Sequence, residues 1–229
     1  MALKIVKVCG GTKEEVLSKK FNIFIGISLG NKWFTEEHLK EYVSWALKDT
    51  KDNVLIFVAD KIHAVNYQVR NGQTPENSLR GALKEGDKRL LLVKKIVEGL
   101  SQKKRAKIVV LRWEDLENSE HKNRVEFFYK KFRDDKKFKE EIFNVVKIAV
   151  SWKFDEKNLN RLAEYVLDEL SEILMTFKYK KIEYGCYPYP MDSKIAEFVE
   201  KIQNEEIFPE IKNWFKFKNM VCVQLEPDK

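Results

Sequence analysis

The chain has 229 residues, 44% hydrophobic and 34% charged, with no Pro/Gly/Ser-rich break to divide it, so one core in a single domain over residues 1–229 is expected. Cys9, Cys186 and Cys222 are odd in number, far apart and without C-x-x-C spacing, which argues against a disulfide framework and a zinc knuckle. No run is long enough to span a bilayer and the first nine residues alternate like a strand rather than a signal peptide, so a cytoplasmic protein without membrane contact is expected.

In chain order, apolar alternation and β-branched runs predict strands over residues 3–9 and 22–28. Thr35 follows as the N-cap of a helix over 36–48 that turns Leu39, Tyr42, Val43 and Leu47 inward. A strand over 53–59, a helix over 61–70, a long helix over 76–104 and a strand over 107–111 come next. Helices over 123–132, 136–152 and 156–177 lead to a strand over 182–187, a helix over 193–203 and a final strand over 219–224. Strands separated by helices imply an α/β fold, a mostly parallel sheet flanked by helices. In such sheets sites gather where strands end at their carboxyl edge, which is where Ser28 falls.

The net charge of +7 is unevenly placed. Residues 76–107 hold ten basic side chains against four acidic ones, so one helical segment carries nearly the whole field. Arg80, Lys84, Lys88 and Lys95 fall on one stripe, with Arg89 close by, opposite a stripe of Leu79, Leu83, Leu90, Val93, Val97 and Leu100. Such a stripe suits a solvated surface equally well; its concentration of charge points to tRNA phosphates.

Gly26-Ile27-Ser28-Leu29-Gly30 has the G-x-S-x-G form of a nucleophile elbow between strand and helix, although a short Gly/Ser turn is as often structural. The histidines are His38, His63 and His121, none after residue 121, so the Ser, acid, late-His order of an α/β-hydrolase is missing. A serine can still be acylated without a histidine when its substrate is an activated ester, such as aminoacyl-tRNA, and a carboxylate or phenol moves the protons. Tyr165 and Glu169, at i and i+4 on one helix face, offer that pair. The run Gly185-Cys186-Tyr187-Pro188-Tyr189-Pro190 ends a strand with further phenols. Walker A, G-x-G-x-x-G and H-E-x-x-H patterns do not occur, so neither a nucleotide cofactor nor a metal is expected.

Taken together, the run from Gly26 to Phe34, the Tyr165-x-x-x-Glu169 helix and the strand-end Tyr187 resemble the tRNA-dependent cyclodipeptide synthases, and the likeness spans nearly the whole chain. The resemblance implies a Rossmann-like fold similar to the catalytic domain of class I aminoacyl-tRNA synthetases, a monomer, and no ATP. It also implies two aminoacyl-tRNAs as partners. By this likeness Ser28, Tyr165, Glu169 and Tyr187 are catalytic, while Gly26, Asn31 and Asp60 bind substrate. Tyr189 repeats the Tyr-Pro step and is the alternative phenol; Tyr187 is preferred because it follows Cys186 directly off the strand. The chain joins Asn31 with Pro188, features the family usually keeps apart.

The implied reaction is ping-pong. Ser28 takes the first aminoacyl group, the bound amine attacks a second aminoacyl-tRNA with Glu169 as base, and the dipeptidyl ester closes to a diketopiperazine. Glu172, at i+7 from Tyr165 and i+3 from Glu169, should reach the first side-chain pocket and favour a cationic or hydrogen-bond-donating group such as histidine. Lys153, in the region resembling the second pocket, should favour an acidic group such as glutamate. The competing readings are a noncatalytic tRNA-binding module and an atypical serine esterase.

Overall fold

The computed structural model describes residues 3–116, 119–150, 155–190 and 194–228. Seven strands form one sheet: β1 (Leu3–Cys9), β2 (Asn22–Ser28), β3 (Val54–Ala59), β4 (Ile108–Arg112), β5 (Phe177–Tyr179), β6 (Ile182–Tyr189) and β7 (Val221–Pro227). Their order is β1-β7-β6-β2-β3-β4, with β5 attached to β6. The strands from β7 to β4 in that order run parallel, whereas β1 and β5 pair antiparallel with β7 and β6. The fold is thus α/β with a mostly parallel sheet, as expected.

Parallel strands need both faces covered, and β3 is buried at every position. On β2, Ile23, Ile25 and Ile27 enter one core with Leu39, Tyr42 and Val43 of α2 (Glu36–Asp49) and with Val93 and Ile96 of α4 (Pro75–Glu98). Phe24 enters the other, under α6 (Ser119–Asp134), α7 (Lys136–Ala149), α8 (Glu156–Ile173) and α9 (Lys194–Gln203). Because side chains alternate along a strand, Gly26 and Ser28 share the face of Phe24 and look toward α8.

Caps fix the helix starts that matter here. Thr35 accepts from the His38 N–H at 3.3 Å, setting α2, and Asp155 accepts from the Asn158 N–H at 3.0 Å, setting α8. Several boundaries differ from expectation. The long basic helix stops at Glu98 with Gly99 as its cap, and Ser101 begins the short α5 (Gln102–Arg105). The segment after β3 starts as a 3₁₀ turn over Lys61–His63 before α3 (Ala64–Asn71). Helix α8 ends at Ile173 instead of running to 177, because Phe177–Tyr179 forms a hairpin with β6. Its turn residues, Lys180 and Lys181, have φ of 47° and 69°. A two-residue turn with both φ positive is ordinarily built from Asn-Gly or Asp-Gly, so two lysines conceal it. Helices α1 (Lys13–Leu17) and α10 (Pro209–Phe215) were not expected; the first carries a Thr12/Glu15 capping box.

Asp60 ties three elements together just past β3. Its Oδ1 accepts from the Lys61 N–H at 2.7 Å, and its Oδ2 accepts from Arg112 Nε at 2.9 Å and Nη2 at 2.5 Å. Gly86 lets α4 approach, since a Cβ there would stand 2.5 Å from the Asp60 Cβ. This carboxylate was expected to bind substrate; it is buried and already engaged by a two-pronged guanidinium, which makes it a structural clamp. Asp60→Ala should therefore lower unfolding free energy by about 3 kcal/mol, the cost of stranding one partner of a buried pair. Urea denaturation reads this, and an unchanged midpoint would exclude the clamp.

Candidate active site

The site lies where β2 ends between β6 and β3. Ser28 is the last residue of β2, in register with Ala59, and Gly26 pairs with Phe57. Facing them across a pocket, α8 presents Tyr165, Glu169, Glu172 and Ile173, while Tyr187 of β6 closes one side. Of the expected site residues, the pocket brings together Gly26, Ser28, Tyr165, Glu169, Glu172 and Tyr187.

The two glycines of G-x-S-x-G act by close approach. A Cβ on Gly26 would fall 2.7 Å from the Tyr187 hydroxyl, and one on Gly30 would fall 2.9 Å from His63 Cε1. Neither has a positive φ, and among the described residues Ser28 is not a positive-φ position either. The strained backbone of a hydrolase elbow is therefore absent at Ser28, and the glycines make room for a phenol and an imidazole instead.

Burial between α8 and the sheet shifts the acids. Desolvation raises the Glu169 carboxyl to about 7. Tyr165 is raised well above the phenol range, first by desolvation and then by Glu169, with a hydrogen bond to Ser28 acting in the opposite sense. Desolvation and Glu169 likewise raise Tyr187 well above its usual value. Tyr189 rises to about 12 from the same two causes, opposed by its hydrogen bond with Asn31. The phenols thus stay protonated near neutrality, as donors or relays, while Glu169 can both take and return a proton.

Asn31 shapes the loop after β2. Its Oδ1 accepts from the Trp33 N–H at 2.9 Å and its Nδ2 donates to the Tyr189 hydroxyl at 3.3 Å. The buried Tyr42 hydroxyl donates to the Pro188 carbonyl, holding the strand between the two phenols, whose rings stack at 6.1 Å.

A family model described as cyclodipeptide synthase matches residues 6–207. The chain belongs to the cyclodipeptide synthase family. Members are tRNA-dependent aminoacyltransferases, and this synthase is an enzyme of that class. Among solved structures, a cyclodipeptide synthase from Fluoribacter dumoffii is 17% identical, with 100% of this chain and 99% of that one aligned at a TM-score of 0.76. A Mycobacterium tuberculosis protein, described as relating these enzymes to type I tRNA synthetases, is 16% identical over 96% and 93% of the chains at 0.73. A synthase from Candidatus Glomeribacter gigasporarum bound to Phe-tRNAPhe is 14% identical over 90% and 87% at 0.60. These likenesses place the fold beside the class I synthetases. No match was found among curated proteins.

Other expected residues of the synthase are placed differently. Arg80, Lys84, Lys88 and Lys95 are exposed along α4, Lys88 paired with Glu85 and Lys95 with Glu36. Arg89 turns inward instead, donating to the Phe34 carbonyl and so pinning the loop before α2; it is a positioning group and leaves the basic stripe. Glu172 reaches the pocket but not as a lone charge, since Arg124 and His121 both bond it. That pairing removes the basis for preferring a cationic side chain. Lys153 lies outside the described residues. Among the described residues no cluster of three or more His, Cys, Asp or Glu side chains could hold a metal ion, and no helix is long and apolar enough to cross a membrane.

Several site neighbours were not foreseen. His63 packs edge-on to Tyr165 at 6.4 Å and against Gly30, and burial lowers its pKa to about 4, so it is a neutral wall. Its sequence signal was its place just past the end of β3, the neighbour of β2. Trp113, His121 and Arg124 carried no such signal.

The Glu169 shift has a stability consequence. Its folded pKa, about 7, exceeds the ordinary 4.5, so between those values the folded state holds a proton that the unfolded state has released. Stability should fall as pH rises through that window, by roughly 3 kcal/mol in all, and level off above it. Glu169→Gln should abolish this fall and be the more stable protein at pH 8. Chemical denaturation of both proteins from pH 4.5 to 8 checks it; parallel curves would refute the shift.

Proposed function

We propose that this synthase condenses two aminoacyl groups from charged tRNAs through successive esters on Ser28. The observation that carries the reading is the convergence of the Ser28 hydroxyl, the Tyr165 phenol and a carboxyl poised near 7 in one pocket. Ser28 engages Tyr165 and not a histidine, which sets the site apart from a Ser-His-Asp esterase.

In the first step the Ser28 Oγ attacks the aminoacyl ester carbonyl, the C–O bond to the terminal ribose breaks, and deacylated tRNA leaves with the proton. Backbone N–H groups of the loop after Ser28 are the candidate donors to the oxyanion. Tyr165 and Glu169 then hold the α-amine of the aminoacyl-enzyme. Glu169 removes its proton, the amine attacks the ester carbonyl of the second aminoacyl-tRNA, the C–O bond to that ribose breaks, and the second deacylated tRNA leaves with the proton, giving a dipeptidyl-enzyme. Finally the new terminal amine attacks the Ser28 ester, which releases the cyclic dipeptide and restores the hydroxyl. The relay in this last step needs a phenol in the pocket. Tyr187 lines it with Ser28, its hydroxyl against Gly26, whereas the Tyr189 hydroxyl accepts from Asn31 in the loop after β2. We therefore keep the relay on Tyr187, with Tyr189 as the alternative.

Donor tRNA is read mainly as phosphate charge on α4. The Glomeribacter synthase was solved with Phe-tRNAPhe, and the same class of ligand suits the exposed Arg80, Lys84, Lys88 and Lys95.

Mixing the protein with charged tRNA should yield an aminoacyl adduct on Ser28 by mass spectrometry, absent in Ser28→Ala. Glu169→Gln should slow transfer to the second donor at least tenfold more than the first acylation. Tyr187→Phe should slow release of the cyclic product more than Tyr189→Phe does; the reverse order would move the relay to Tyr189. Binding of charged tRNA without adduct or product would instead leave a binding module.

Replacing Arg80, Lys84, Lys88 and Lys95 by Ala should weaken tRNA binding and flatten the plot of log affinity against log salt by about one unit per lost contact. An unchanged slope in a folded variant would move the docking site, with Lys103, Lys104 and Arg105 the next surface to test.

A further inference from the structure

The pocket beside Ser28 ends on a carboxylate that the protein satisfies on one oxygen only. Glu172 is 3% exposed. Its Oε1 accepts from Arg124 Nη2 at 2.9 Å, His121 Nδ1 at 2.5 Å and the Ser171 hydroxyl at 3.3 Å. Its Oε2 is buried and meets no donor among the described residues. A buried acceptor left empty costs free energy that a hydrogen bond from a ligand would recover.

The remaining surface narrows the ligand. Phe24, Phe57, Trp113 and Tyr187 line the same pocket, with neighbouring ring centroids 5.5–5.7 Å apart. Flat rings pack well on such walls. Arg124 already balances the Glu172 charge, so a lysine or arginine side chain would bring an unmatched cation. An acidic side chain would set its own lone pairs against Oε2. Leucine or phenylalanine would leave Oε2 unsatisfied.

Resting on the acyl transfer argued above, we propose that the first aminoacyl group taken by Ser28 is a neutral aromatic one ending in a ring hydrogen-bond donor, the indole N–H of tryptophan or the hydroxyl of tyrosine, received by Glu172 Oε2. Glu172 is the specificity-determining residue, and Arg124 and His121 are the positioning residues that hold it.

Tyrosine and phenylalanine differ by the donor alone, which makes the pair a direct probe. The wild-type enzyme is mixed separately with purified Trp-, Tyr-, His-, Phe-, Leu- and Lys-tRNA, and the rate of adduct formation on Ser28 is read by mass spectrometry. Trp-tRNA or Tyr-tRNA should acylate at least 100-fold faster than Phe-tRNA, the scale of discrimination when a site built around a hydrogen bond meets a substrate lacking it. Glu172→Gln preserves size and separates this role from a structural one. Arg124, which can only donate, requires the amide oxygen at the Oε1 position, so the amide N–H₂ takes the place of Oε2 and an acceptor becomes a donor. The indole N–H can only donate, so in that variant the Trp-to-Phe ratio should fall below 10 while Phe-tRNA acylates at least as fast as before. Equal wild-type rates for Tyr, Trp and Phe, or a preference for Leu or Lys, would overturn the specificity and leave the acyl transfer intact. No adduct from any of these donors, or from the complete set of charged tRNAs, would overturn both.

Discussion

The burial of one carboxyl group between α8 and the sheet governs the chemistry of this site. Glu169 is drawn toward 7 by desolvation, and that requires α8 to lie close on β2 and β6. The approach depends on what is missing from the sheet: Gly26 has no Cβ, so the Tyr187 hydroxyl can rest against β2 and fill the space water would otherwise take. Once ionised, Glu169 helps to raise Tyr165, Tyr187 and Tyr189 further, so the three phenols stay protonated while Glu169 titrates.

Two electrostatic regimes follow from the same fold. On the outside of α4 the lysines and Arg80 are solvated and in part paired with Glu85 and Glu36, so each contributes little to stability and its effect on a polyanion is screened by salt. Inside, Asp60 with Arg112 and Glu172 with Arg124 are desolvated pairs that fix elements in place. The first regime suits reversible docking of a large ligand. The second keeps the reacting groups in register while that ligand comes and goes.

The parts of this arrangement legible in sequence were those carried by local periodicity. Ser28 could be placed at a strand end because Ile23, Ile25 and Ile27 mark a buried strand and Thr35 marks the next helix. Tyr165 and Glu169 could be placed on one face because i and i+4 meet on any helix. Glu172 was rightly put on the pocket side by the same rule, yet its electrostatic meaning was misread, because Arg124 and His121 come from α6, some fifty residues away. Asp60 failed for the same reason: the residue type announces a carboxylate, and only the tertiary fold shows that Arg112 already holds it. Arg89 has the composition of the basic stripe and the orientation of the core. The Lys180-Lys181 turn hid a strand because its conformation is set by pairing of the flanking strands and not by its own residues.

Chemistry and selection share one rigid element. Tyr165, Glu169 and Glu172 stand at i, i+4 and i+7 on α8, so the catalytic pair and the side-chain pocket cannot drift apart without bending a helix anchored by Asp155 at its start and buried along one side. The consequence is an asymmetry in what can vary. Glu169 answers to its burial, which any change in the packing of α8 would alter, whereas Glu172 answers to Arg124 and His121 of α6. Under the proposed reaction, the identity of the accepted side chain would be retuned through residues such as His121 and Arg124, while Ser28, Tyr165 and Glu169 keep their mutual geometry.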